Sequence, residues 1–140
     1  MDITRREAFI AALLPLLEAA CITRSQAEPA QAADNNTVFD HDLPDITMDG
    51  WHVNASVITF PPGRVGAPHH HPGFVLVYVL EGVVVTKISS QEERTYSAGQ
   101  MFYEQPGSTH EVSRNASMTK QARILAMIFA KKGAPLVTPA

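Results

Sequence analysis

Gly63-Arg64-Val65-Gly66-Ala67-Pro68-His69-His70-His71-Pro72-Gly73-Phe74 is the stretch that decides the fold. Three consecutive histidines stand among Gly and Pro breakers, directly ahead of the apolar run Val75 to Leu80. In an extended chain, alternate side chains share a face. His69 and His71 then point one way and His70 the other. Two imidazoles on one strand face make half of a metal site. His110, in a similar Gly/Pro setting 39 positions after His71, offers the other half.

Outward from this stretch the chain reads as short strands joined by turns. Trp51 to Phe60 alternates imperfectly and stops at Pro61-Pro62-Gly63. Phe74 to Leu80 is an almost continuous apolar run rich in Val, and Glu81-Gly82 turns it into Val83 to Ile88 as a hairpin partner. Arg94 to Tyr96, Met101 to Glu104, His110 to Arg114 and Arg123 to Ala130 complete the set. Turn signals at intervals of about 8 to 12 residues predict an all-β sandwich or barrel. After residue 35 no segment keeps a helical period. The tail from Lys131 to Ala140, with Gly133, Pro135 and Pro139, reads as an extended arm able to cover a sheet edge, in this subunit or a neighbour's.

Composition narrows the function classes. A chain of 140 residues suffices for one domain with a sizeable core. Hydrophobic content of 45% against 18% charged residues excludes a disordered tail. The net charge is -3 and there is no basic block, so no nucleic-acid partner is expected. The single cysteine, Cys21, excludes a disulfide framework and a four-cysteine zinc site.

The first 35 residues are a different material. Arg5-Arg6 precedes an apolar run from Phe9 to Leu17, followed by small and polar residues that include Ala30-Gln31-Ala32. A charged start, a short apolar middle and an Ala-x-Ala site describe an export signal over residues 1–32, with a twin-arginine-like pair. The apolar run is well below the roughly 20 residues of a membrane-spanning helix. Export implies a periplasmic or secreted protein. A retained amphipathic helix, and a cytoplasmic protein, is the competing reading.

The motifs within residues 50–132 resemble those of a small single-domain cupin. That family's first motif is a Gly, five residues, His-x-His, three or four residues, Glu, six residues and Gly; Gly63, His69, His71 and Gly82 match it. Its second motif is a Gly, five residues, Pro-x-Gly, two residues and His; Gly99, Gly107 and His110 match, with Gln105 in place of the Pro. The resemblance implies a single jelly-roll barrel of six to eight strands, with arms at 33–49 and 133–140. It implies His69, His71 and His110 as ligands of one divalent transition metal: Fe, Mn, Ni, Cu or Zn. Neutral imidazole suits all of these ions. With a redox-active ion the chain resembles the quercetin-dioxygenase-like branch of the family.

One departure stands out. The glutamate of the first motif falls at Val75, and Leu76, the other possible register, is apolar as well. Three readings stay open: three histidines alone with open positions, a substitute carboxylate, or an empty site. Glu104 is the candidate substitute, either as fourth ligand or as general base. It lies six residues before His110 among Phe102, Tyr103 and Pro106, where an unpaired carboxylate is costly. On an alternating strand it equally has an outward, solvated reading. Glu81 is expected in a solvated turn, His70 away from the lumen, and Tyr78 and Tyr103 either in the lumen or outside it. Asn54-Ala55-Ser56 and Asn115-Ala116-Ser117 fit the spacing of glycosylation acceptors but are discounted behind a bacterial-looking leader.

A lumen lined by Val, Phe, Tyr and Met around one metal is an apolar pocket with a few polar anchors. Such a site suits a small oxygen-rich substrate, an enol, diol or oxo acid, in dioxygenase or in isomerase and lyase chemistry. The alternative is a non-catalytic cupin that binds a small molecule or a metal. Edge strands of this barrel type imply a homodimer, and no membrane span is expected.

Overall fold

The structure, a computed structural model, describes residues 36–140. The export segment expected at 1–32 lies outside the described residues, as does the very start of the arm at 33–49. Nine strands follow in chain order: β1 (Trp51–Phe60), β2 (His69–His70), β3 (Phe74–Glu81), β4 (Val83–Ile88), β5 (Arg94–Ser97), β6 (Met101–Glu104), β7 (Thr109–Asn115), β8 (Ala122–Lys131) and β9 (Thr138–Pro139). They form two antiparallel sheets, ordered β1-β8-β3-β6 and β5-β4-β7-β2-β9. This is the all-β double-sheet barrel that the turn spacing predicts. The count exceeds six to eight because β2 and β9 have two residues each, too short to leave an alternation in the sequence. Among the described residues no helix is long and apolar enough to cross a membrane.

The core follows from alternation. On β8, Ala122, Ile124, Ala126, Ile128 and Ala130 are buried and the residues between them are half-buried. Flanked by β1 and β3, this strand lies inside its sheet and turns one face to the barrel interior. On β3, Val75, Val77 and Val79 face the same core. The continuous apolar reading of β3 has a second cause: its outward side is covered too. Phe74 lies opposite Phe129 on β8 and stacks on it, with ring centroids 4.5 Å apart. Trp51 packs on Phe74 at 6.0 Å and Tyr103 on Phe74 at 6.0 Å, so an aromatic layer sits on the outer face of this sheet.

Two devices fix the chain around this core. Asn115, buried at the end of β7, donates from its amide to the carbonyls of Phe60, Pro61 and Lys120, and its Oδ1 accepts from Ser117 N–H. This one side chain ties the end of β1 to the approach to β8. The carboxy-terminal arm covers an edge in this chain itself: β9 pairs with β2, setting Pro139 opposite His69.

Gly82 closes the β3–β4 turn with φ +74°, and a Cβ there would stand 2.6 Å from the Gln121 carbonyl oxygen. Gly99 has φ +89° and open space around it. Gly99→Ala is expected to cost about 1–2 kcal/mol from the left-handed backbone alone. Gly82→Ala is expected to cost roughly 1–3 kcal/mol more from the steric contact. Urea unfolding of the two variants measures the difference; equal losses would show that the turn yields freely.

Candidate metal centre

Strand register brings the histidines together. β2 and β7 pair with His69 directly opposite His110, and the two ring centroids lie 5.0 Å apart. His71, one residue past β2, sets its ring edge-on to His69 at 4.9 Å. His70 faces away, as alternation predicts, with its Nδ1 at 3.2 Å from the Thr109 hydroxyl.

The carboxylate arrives from the other sheet. β3 and β6 pair with Val75 directly opposite Glu104. Both residues are 2% exposed and face the interior. Glu104 therefore occupies the cross-strand neighbour of the position where the first motif has its glutamate. Its Oε1 lies 3.1 Å from His110 Nδ1, and its Oε2 lies 3.8 Å from His71 Nε2. Oε2 is buried without a hydrogen-bond partner. The solvated reading of Glu104 is thereby replaced by an interior one. Glu81 is exposed, beside Arg123 and Gln121, as expected of a turn residue.

Backbone carbonyls set the tautomers. His69 Nδ1–H donates to the Ala67 carbonyl at 3.0 Å, and His71 Nδ1–H donates to the Leu136 carbonyl at 2.7 Å. A carbonyl only accepts, so both rings keep the Nε2 lone pair free. Burial also holds the His69 imidazole below its ordinary pKa, favouring the neutral form. His110 Nε2 is 2.6 Å from the buried Thr86 hydroxyl. A hydroxyl both donates and accepts, so His110 can give Glu104 a proton from Nδ1 or offer a lone pair there.

Two Nε2 lone pairs, the His110 nitrogen and an anionic carboxylate thus converge with few protons among them. Acceptors gathered in an apolar setting call for a cation. The set is gathered rather than closed: among the described residues no group of three or more His, Cys, Asp or Glu stands in ready-made coordination geometry. The donor chemistry fits a borderline transition metal, with three imidazoles and one carboxylate. The buried, unpartnered Oε2 of Glu104 is the observation that supports this fit.

The centre opens on a cavity of about 140 Å³. Its walls are Ile58, Phe60, Val75, Val77, Phe102, Ile124, Ala126, Ile128 and Val137, with Arg64 and Ser113 as further polar groups. No tyrosine or methionine lines it, contrary to the sequence expectation. Tyr103 stacks outside on His41 at 4.3 Å, and Tyr78 is half-buried opposite Met101. Both tyrosines sit on the opposite side of their strands from Val75, Val77 and Glu104. Sequence reasoning missed Arg64, Thr86 and the Leu136 carbonyl. Thr86 alone left a trace, as a polar residue at an inward, buried position of β4.

A family model described as a cupin domain matches residues 56–128. No curated protein matches the chain. An uncharacterised protein with a double-stranded β-helix domain from Klebsiella pneumoniae aligns at 20% identity and TM-score 0.54, covering 63% of this chain and 74% of that one. An oxalate oxidase in complex with the substrate analogue glycolate aligns at 19% identity and TM-score 0.52, covering 79% and 67%. A DMSP lyase structure aligns at 16% identity and TM-score 0.54, covering 63% of this chain but 44% of its own. The chain thus spans less than half the length of that lyase, and at these identities the likeness is one of fold.

Thr86→Val keeps the shape but leaves His110 Nε2 without a partner. A loss of about 1–3 kcal/mol is expected. Thr109→Val, at the half-buried contact with His70, is expected to cost less. The urea midpoints of the two metal-free variants decide; a smaller loss for Thr86→Val would mean that His110 is held by Glu104 alone.

Proposed function

We propose, from the premise that the chain belongs to the cupin domain family, that it is a metal-dependent enzyme acting on a small oxygen-rich organic molecule. His69, His71, His110 and Glu104 would hold one divalent transition metal. The observation that carries this reading is the place of Glu104: buried, directly opposite Val75, with Oε2 unpartnered and turned toward His71. A site that had merely lost its glutamate would have no reason to bury another carboxylate one strand away.

When bound, such an ion supplies Lewis-acid polarisation of chelating oxygens and, if redox-active, access to dioxygen. The remaining work belongs to the chain. The Ala67 and Leu136 carbonyls hold His69 and His71 with Nε2 inward. The apolar walls exclude water, which strengthens every charge interaction at the centre. Glu104 is assigned as ligand rather than base, because both of its oxygens face imidazole nitrogens.

The cavity restricts the substrate. About 140 Å³ is close to the roughly 150 Å³ of an engineered cavity that admits benzene. That supports a short oxo acid, enol or diol and speaks against a multi-ring flavonol, the substrate type suggested by the quercetin-dioxygenase-like resemblance.

Metal analysis of protein purified without an affinity tag tests the centre. One equivalent of a transition metal is expected, and His110→Ala is expected to lose it while His52→Ala, outside the motifs, keeps it. Glu104→Val is expected to weaken metal affinity at least about tenfold. The double variant Val75→Glu/Glu104→Val is expected to recover most of that loss by returning the carboxylate to the facing strand. Equal metal content in His110→Ala and the unmodified chain would sink the assignment. Stoichiometric metal without turnover of any short oxo acid, enol or diol would favour a non-catalytic binding protein.

A further inference from the structure

Arg64 stands at the pocket as the one Lys or Arg among its lining residues. The histidines and Glu104 line the same pocket, and most of its other lining residues are apolar. No acidic side chain lies within ion-pair distance of Arg64 among the described residues. Its guanidinium is instead steered by the chain: Nη1–H donates to the Thr59 carbonyl at 3.3 Å, and the group lies 4.8 Å from the centroid of the Phe60 ring.

The backbone beneath it is fixed. Arg64 N–H donates to the Pro61 carbonyl at 3.1 Å, and its carbonyl accepts from Asn115 N–H at 2.9 Å. The buried Asn115 amide clamps Phe60 and Pro61 at the same time. Further along, Gly66 N–H meets the Ser113 carbonyl, so residues 64–66 run beside β7 and lead to His69. Gly66 has no side chain to fill the space beside Ser113; a Cβ there would lie 3.3 Å from Ser113 Cβ. Arg64 is exposed where it lines the pocket; a guanidinium with several N–H donors and no carboxylate of its own suits a planar anion.

We propose that Arg64 anchors the carboxylate of the substrate, which makes the substrate class a small monocarboxylic acid carrying a second oxygen for the metal. This deepens the metal-enzyme reading above and rests on it only for the second oxygen. In the metal-free protein Glu104 repels an anion placed at the centre, so a carboxylate is favoured beside Arg64. A bound divalent ion would make the centre cationic and able to take the second oxygen. Ser113 also lines the pocket, and its hydroxyl can donate to a bound oxygen.

The test is calorimetric titration with pyruvate and with its neutral isostere pyruvamide, on zinc-loaded and metal-free protein. Arg64→Gln and Arg64→Lys are compared with the unmodified chain. The unmodified chain is expected to prefer pyruvate by about tenfold or more. Arg64→Gln is expected to erase that preference while leaving zinc content and pyruvamide affinity unchanged, and Arg64→Lys to restore part of it. Metal-free Arg64→Gln that still prefers pyruvate would overturn the anchor, as would the absence of any preference in the metal-free unmodified chain. A chain that takes up no zinc overturns the metal reading alone, because the metal-free titrations still report on Arg64.

Discussion

Antiparallel register is the constraint on which the centre depends. A slip of one residue in a strand pair sends every side chain to the opposite face. Two independent pairings must hold together here: β2 with β7, which sets His69 against His110, and β3 with β6, which sets Glu104 against Val75. Neither short strand fixes its own register. β2 has two residues and β6 four, so their partners do it for them. β7 is paired along β4 from Val84 to Lys87, with a register shift before Ile88 meets His110, and β3 is paired along β8 from Phe74 to Val79. Alternating burial on β8 then carries the register of the whole sheet.

A buried carboxylate is the expensive part of this arrangement. Glu104 lies among Val75, Val77 and Phe102, and an anion there loses its hydration. His110 and His71 offset some of that cost, yet one oxygen keeps no partner. Stability given up at one point of a fold is a common mark of function. The same apolar walls that make the anion costly would make its attraction for a cation strong.

Much of this was legible in the sequence, and the rest was not, for separable reasons. The histidines were legible because Gly63, Gly82, Gly99 and Gly107 bracket them at fixed spacing. Most strands were legible because Gly and Pro punctuate them. The face of Glu104 was not, since alternation gives two equivalent choices and only the pairing with Val75 selects one. Arg64 stayed hidden because Gly66 and Pro68 interrupt the alternation between it and His69. The Leu136 carbonyl was beyond reach for a different reason: a backbone acceptor has no side-chain signature, and β9 is too short to show a period. Tyr78 and Tyr103 were left between two places because both faces of β3 are covered, one by the core and one by the aromatic layer.

The pairing of β9 with β2 has a consequence for the order of assembly. A chain emerges from the ribosome with its amino-terminal end first. His69 and His71 are made early, but the carbonyl that orients His71 belongs to Leu136, and the strand that flanks His69 ends at Pro139. The imidazoles are therefore set in place only after residues 136–139 have been added. Before that point His71 lacks the Leu136 carbonyl that fixes its tautomer, and the edge beside His69 is uncovered.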